Sequence, residues 1–361
     1  MTEAHGRLYG IEHSSRSGAD LWGKNQFNST FPTAICCYMR DNGIHPVYLC
    51  IGEGGLFENV EVPFDQIFST GRPNSELFFS FEGRFNRFEE VLHGPLERVD
   101  LVVSDVRFDD NGNPHEGLQR QPLEVKLTVV PDDATHSLSE DQWGAEIVFR
   151  PATTKYCAMS MAFRCREERN VIREIFEQSL SGVKDWGNQV EAKEILPIVI
   201  DRLEDFKERL FHHQAPLVMQ PIWKTEGKSP ALADNAFDVF VWSDFGLLSL
   251  IIDQARSSIS AREIKRPARS ALRIARFLFE FGRAGNAHIT NIYDQMTYGK
   301  QSDKCFSVSG NVTRRYMTHP RIVTPALRRE VVNEIILDGG EHQLSPERRF
   351  DQSIYFLARY E

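Results

Sequence analysis

RVDLVVSDVRF (residues 98–108) and QPLEVKLTVV (residues 121–130), joined through Asp110-Asn111-Gly112-Asn113-Pro114, decide how this chain is read. Both runs are rich in β-branched residues, which suit a pleated surface, and Asn-Gly in the connection marks a turn. The passage is therefore expected to form an antiparallel pair with an elaborated loop. Side chains alternate faces along a strand, so Glu124 and Lys126 should project together while Val125 points into the core. Asp100 heads the preceding strand, just before Leu101-Val102-Val103.

Working outward, SELFFSFEGRFNRFEEVLHG (residues 75–94) carries Phe78, Phe81, Phe85, Phe88 and Leu92 at steps of three and four. That spacing predicts an amphipathic helix, with Ser75 as N-cap and Gly94 as stop. AEIVFRPA (145–152) reads as a further strand. Beyond about residue 165, REERNVIREIFEQSL and VEAKEILPIVIDRLEDFKERLF read as helices, and a basic helix is expected near 260–283. Between them, PLVMQPIWKT and FDVFVWSDFGLLSLII look like strands or buried segments. The expected class is α/β (α+β), a mixed sheet flanked by helices with a helix–strand–strand unit in the first half. Residues 1–165 would hold an N-terminal arm and the core, and 166–361 a helical and mixed region packed with it as one body.

Composition narrows the possibilities. A chain of 361 residues with 41% apolar and 11% aromatic residues can build a large core. No long uncharged apolar run suggests a membrane span, and the N-terminus lacks the blocks of a secretory signal, so the cytoplasm is the expected address. A formal net charge of −9 argues against a protein that coats nucleic acid indiscriminately. It leaves room for specific binding along a locally basic cleft. The six cysteines show no C-x-x-C pair and are expected to be reduced and mostly packed.

Phosphodiester hydrolysis needs a cation to neutralise developing charge and lower the pKa of the attacking water. Mg²⁺ prefers oxygen ligands, usually one or two carboxylates with water and phosphate, and a nearby ammonium can stabilise the transition state. Asp100, Glu124 and Lys126 supply those parts. Acid-x-Lys by itself is a weak signal, because it also occurs at Glu191, Asp205, Glu226 and Glu263. Three of those lie in helical periodicity, where residues two apart diverge by about 200°, and the fourth sits beside Gly227 in an expected loop. Only Glu124-Val125-Lys126 falls in a β-branched strand behind a second strand bearing an aspartate. An ion pair on an exposed strand face would account for Glu124 and Lys126 equally simply. Asp105 competes with Asp100 as first metal ligand, and Glu82 or Glu89 could extend the site. The backbone carbonyl of Val125 completes the expected ligand set.

LYGIEHSSRS (8–17), WGKNQFNSTFPTAICCYM (22–39), PLEVKLTVVPD (122–132), QPIWKTEGK (220–228), DVFVWSD (238–244) and LSPERRFD (344–351) give the chain a further likeness. It resembles the HindVP-like family of type II restriction endonucleases, within the PD-(D/E)XK nuclease superfamily. The resemblance implies a Mg²⁺-dependent enzyme that cleaves double-stranded DNA at a short palindrome of the GRCGYC type. It also implies a cognate DNA methyltransferase as functional partner, and it maps the nuclease motif onto Asp100, Glu124 and Lys126. The proline that names the motif is missing here, since Arg98-Val99 precede Asp100. A palindromic target would demand a homodimer. The alternatives are a PD-(D/E)XK repair or recombination nuclease, or a noncatalytic DNA-binding protein with the same fold.

DNA would need basic side chains. Arg262, Arg266, Arg269, Arg273 and Arg276 follow three- and four-residue steps and should share one helix face, suited to tracking phosphates. The same face could instead be solvated and paired with acidic residues. Lys304, Arg314, Arg315, Arg348 and Arg349 form a second basic group, in which arginines could read guanine edges. Lys24, Asn25 and Gln26 combine ammonium and amide groups near the N-terminus, and Lys224 adds a cation in QPIWKTEGK.

Overall fold

Why one helix sits at the centre is legible in its sequence: RPARSALRIARFLFEFGRA alternates large apolar residues with Ala, Ser and Gly, which let neighbours approach closely. The computed structural model describes residues 47–51, 57–61, 77–112, 114–124, 128–130, 147–210, 217–226, 229–232, 239–300 and 303–308. Six helices fall within them: α1 (Pro151–Arg164), α2 (Arg169–Leu180), α3 (Gln189–Leu210), α4 (Asp244–Arg256), α5 (Arg266–Ala284) and α6 (Ile289–Gln295). Helix α5 packs against all five others or their turns, most extensively against α2. A Cβ on Gly282 would lie 3.0 Å from the Arg173 backbone, so the close approach of α5 to α2 is suited to a glycine. The helix begins behind Lys265 in extended conformation with Pro267 in its first turn, and ends at Gly285 with φ of 83°. Both signals are ordinary helix boundaries.

Three strands, β3 (Leu77–Arg84), β4 (Arg98–Phe108) and β5 (Pro114–Leu123), form an antiparallel sheet in the order β3-β4-β5. They are preceded by β1 (Val47–Ile51) and β2 (Phe57–Glu61) and followed by β6 (Thr128–Val130) and β7 (Ile147–Phe149). A mixed sheet runs β2-β1-β10-β8-β6, built from those strands with β8 (Leu217–Glu226) and β10 (Val239–Ser243), while β9 (Ser229–Leu232) pairs with β8. Its β1–β10 and β6–β8 pairs are parallel. A last strand, β11 (Phe306–Val308), pairs antiparallel with β7. The chain is thus a mixture of helix and strand, as expected. The two helices beyond residue 165 form as the sequence predicts. The antiparallel partner of 98–108 is instead Pro114–Leu123, which shares only residues 121–123 with the expected run, while Thr128–Val130 pairs with β8 in the mixed sheet. Of 145–152 only Ile147–Phe149 is strand, and Pro151 already begins a helix.

The helix expected over residues 75–94 does not form. Leu77–Arg84 is a strand, and Asn86–Glu90 a single 3₁₀ turn. Phe78, Phe79 and Phe81 favour a pleated surface, and pairing with β4 supplies a hydrogen-bonded partner that periodicity cannot reveal. The three-residue step from Phe85 to Phe88 belongs to the 3₁₀ geometry, in which i and i+3 eclipse. Both rings are buried, edge-on to each other at 5.0 Å between centroids, and both meet Phe163 of α1. This aromatic cluster fixes the three-stranded sheet to α1. Phe88→Ala is expected to cost about 3–5 kcal/mol, the usual range for a buried Phe, read as a lower urea midpoint. A loss below ~1 kcal/mol would show that the cluster does not anchor the sheet.

One apolar cluster runs from Phe85, Val99 and Val103 through Tyr156 and Phe163 to Phe206, Leu272 and Phe281. Helix α1 itself was not foreseen, and the reason is physical. Ten of its 14 residues are buried, so it lacks the polar stripe that reveals a helix in sequence. Among the described cysteines, Cys157 and Cys165 are buried and free, and Cys305 is exposed. Burial, reinforced by Glu168, pushes the Cys165 thiol up to about 12. Among the described residues no helix is long and apolar enough to cross a membrane.

Candidate active site

The register of β4 on β5 decides what Asp100 can meet. Val102 pairs with Pro122 and Leu101 with Leu123, so Asp100 and Glu124 are the next residues along the two stretches of chain, Glu124 lying beyond the end of β5. On the other side, Phe81 pairs with Leu101 and Gly83 with Val99, which sets position 82 opposite Asp100. Positions 82 and 100 therefore lie at one level of β3 and β4. The side chain of Glu82 lies outside the described residues.

Glu124 stands just past the end of β5 and is only 7% exposed. A surface ion pair on a solvated strand face does not describe it. Its Oε1 accepts a hydrogen bond of 2.9 Å from Oγ1 of Thr153, a residue in the first turn of α1. The unsatisfied N–H groups of a helix start carry partial positive charge, so this is a favourable place for a carboxylate. Tyr156, also on α1, donates to the Pro122 carbonyl at 3.2 Å, so the helix and the end of β5 are joined at two points. Lys155, between them, pairs with Glu97 and lies 5.2 Å from the centre of the Tyr293 ring. Thr153 was not among the expected site residues, because the helix that carries it was not foreseen. The only sequence hint is Pro151 following Phe149-Arg150, a strand end followed by a helix-starting proline.

Asp105 has a different environment. It lies five residues beyond Asp100 on β4, whose register with β3 is unbroken, and an odd step puts it on the opposite face. Arg120 grips it from β5, with Nε at 3.0 and 3.1 Å and Nη2 at 2.6 Å. Glu89 is exposed on the 3₁₀ turn. Among the described residues no group of three or more His, Cys, Asp or Glu is gathered closely enough to hold a metal. The Asp100–Glu124 pair fits Mg²⁺, which usually takes one or two carboxylates and fills its remaining positions with water and phosphate. It does not fit a closed tetrahedral zinc site.

The basic helix forms, but part of its arginine face is turned inward. Arg269 and Arg273 have side chains only 5% and 3% exposed. Asp303, from a segment beyond α6, bridges the two. Arg269 Nη2 lies 2.7 Å from Oδ1, Arg273 pairs with Oδ2, and Arg273 also donates to the Met296 carbonyl at 2.8 Å. The expectation that these two arginines track phosphates is corrected: their guanidinium groups are buried and bound to Asp303 inside the protein. Periodicity placed them correctly on one face but could not tell which way it pointed, because the countercharge comes 30 or more residues later. Arg276 bonds Glu280 and Gln295. Arg266 is exposed at the helix start and donates to the Cys305 carbonyl at 3.0 Å, and Lys304 beside it is exposed. Lys224 lies within β8, its backbone between Val130 of β6 and Ala231 of β9. Lys24, Asn25, Gln26, Val125, Lys126, Arg314, Arg315, Arg348 and Arg349 lie outside the described residues.

Glu124, buried against a helix start just past β5 with Asp100 on the neighbouring strand, is the candidate site. Comparison with known proteins supplies the family. The family model described as HindVP restriction endonuclease matches residues 22–360, and the chain belongs to that family. It is 33% identical over 349 residues to the type II restriction enzyme HgiDI of Herpetosiphon aurantiacus, covering 96% of this chain and 94% of that one. It is 32% identical over 359 residues to the probable type II restriction enzyme HindVP of Haemophilus influenzae, covering 96% and 92%. No solved structure matches.

Proposed function

We propose that this chain is a Mg²⁺-dependent type II restriction endonuclease of the PD-(D/E)XK kind, with Asp100, Glu124 and Lys126 as its catalytic residues. The observation that supports the reading is the β4–β5 register, in which Leu101 pairs with Leu123 and Asp100 and Glu124 are the next residues along each stretch of chain, in a chain of this family. Asp100, Glu124 and the backbone carbonyl of Val125 would hold the ion, and the position of Glu82 opposite Asp100 makes it the natural supplementary ligand. A bound divalent ion supplies charge neutralisation at the phosphate and a lowered pKa for the attacking water.

The protein's own groups then have defined tasks. Asp100 and Glu124 present anionic oxygens on one face. Lys126, two residues beyond Glu124, orients the water and stabilises charge on the phosphate oxygens as a P–O bond breaks. Water adds its hydroxyl to phosphorus, and the departing alkoxide oxygen gains a proton. The substrate in this reading is double-stranded DNA at a palindrome, with GRCGYC as the expected site. The enzyme acts as a homodimer in the cytoplasm, with a cognate methyltransferase as functional partner. Residues 1–165 form its catalytic part and 166–361 its recognition and dimerisation part, with Arg266, Lys304 and Lys224 as remaining phosphate-contact candidates. The more distant basic groups at Lys24, Arg314, Arg315, Arg348 and Arg349, with Asn25 and Gln26, belong to the same proposal.

Incubating the purified protein with phage DNA in Mg²⁺ or in chelator, then sequencing fragment ends, tests this reading directly. Discrete fragments sharing one terminal sequence, and absent with chelator, are the expected result. Intact DNA in both would refute it, and ends without a common sequence would point to a structure-directed nuclease. Lys126→Ala should lower the single-turnover rate by at least ~10²-fold, and an unchanged rate would remove the lysine from the mechanism.

A further inference from the structure

Thr153 lies far from Glu124 in sequence, is fully buried, and has its hydroxyl turned onto Oε1. We infer that Thr153 is a positioning residue: its hydroxyl orients the Glu124 carboxylate toward the cation. A threonine in the first turn of a helix commonly turns its hydroxyl back on the helix backbone. Thr153 instead spans from α1 to the strand end, 29 positions away. A carboxylate that binds a metal is typically oriented by such an outer hydrogen bond, and removing it weakens metal binding or activity by about 10–100-fold.

The first turn of α1 is itself held rigidly. Thr154 Oγ1 donates to the Pro151 carbonyl at 2.9 Å, which uses its one proton. The 2.6 Å contact between Thr154 and the Tyr293 hydroxyl therefore has Tyr293 as donor. Burial raises the Tyr293 phenol well above its ordinary value, so that proton stays in place. The Arg273 guanidinium covers the same ring at 4.4 Å and is bound in turn to Asp303. Consecutive threonines thus tie the helix start in two directions, one to the helical core and one to the carboxylate.

This assignment rests on the nuclease reading, and the test separates the two. The full-length protein is titrated with Mn²⁺ alone, following the metal-induced rise in unfolding temperature, and cleavage is measured in parallel. Thr153→Val and Thr153→Ala should each need about 10–100-fold more Mn²⁺ for the same rise, while Thr153→Ser, which keeps the hydroxyl, returns to the wild-type curve. The assignment is overturned if the hydroxyl-less variants titrate like wild type, or if neither folds while the serine variant does, since the hydroxyl would then serve the fold. Glu124→Gln is the control. A variant that binds Mn²⁺ and cuts DNA like wild type would sink the underlying site, and the inference with it.

Discussion

Glu124→Gln is expected to leave the protein folded and to lower the single-turnover cleavage rate by at least ~10³-fold. The change is isosteric, and Thr153 can still donate to the amide carbonyl where it now meets Oε1 at 2.9 Å. What disappears is the negative charge that would hold a divalent ion beside Asp100. A bound ion contributes several kcal/mol to the transition state of phosphoryl chemistry, and each ~1.4 kcal/mol is a factor of ten in rate. The measurement is nicking and linearisation of supercoiled phage DNA with enzyme in excess, alongside a denaturation curve. A rate within about threefold of wild type, with a normal unfolding midpoint, would eliminate Glu124 as a ligand.

The second large effect concerns stability. Asp303→Asn should cost about 3–5 kcal/mol, the usual consequence of removing one partner from a buried ion pair, because Arg269 and Arg273 both stay inside without their carboxylate. Burial alone would raise the Asp303 pKa, but hydrogen bonds and charge from Arg269 and Arg273 outweigh it and hold the carboxyl below its ordinary value. A folded-state pKa below the unfolded one means stability that is complete above the unfolded value of about 3.9. That stability is lost as the pH falls through the folded value. The gap between wild type and Asp303→Asn in urea unfolding should therefore be widest above pH 5 and shrink under more acidic conditions. A gap independent of pH would mean that the carboxylate charge is not what holds the two arginines.

Both effects depend on contacts of different legibility. The β-branched 98–108 run was readable as a strand, but its partner proved to be Pro114–Leu123 rather than 121–130, because the polar residues of that stretch hide a strand that only pairing reveals. The choice between Asp100 and Asp105 was not readable from residue types. What the structure adds is that Asp105, an odd step from Asp100 along β4, is bound to Arg120. Phe78, Phe81, Phe85, Phe88 and Leu92 misled because their spacing fits both a helix and a strand followed by a 3₁₀ turn. Pairing with β4 decided between them.

By itself, the sequence determined that helix and strand are mixed, that the 98–130 region carries paired strands, and that an arginine stripe runs along one helix. These follow from local periodicity, which each segment encodes in its own residues. Only the tertiary structure decided that Glu124 is buried against Thr153, that Phe85 and Phe88 anchor the sheet to α1, and that Arg269 and Arg273 face Asp303 rather than solvent. Each of those joins residues far apart along the chain, and a countercharge or a covering ring leaves no trace in the periodicity of the segment it meets.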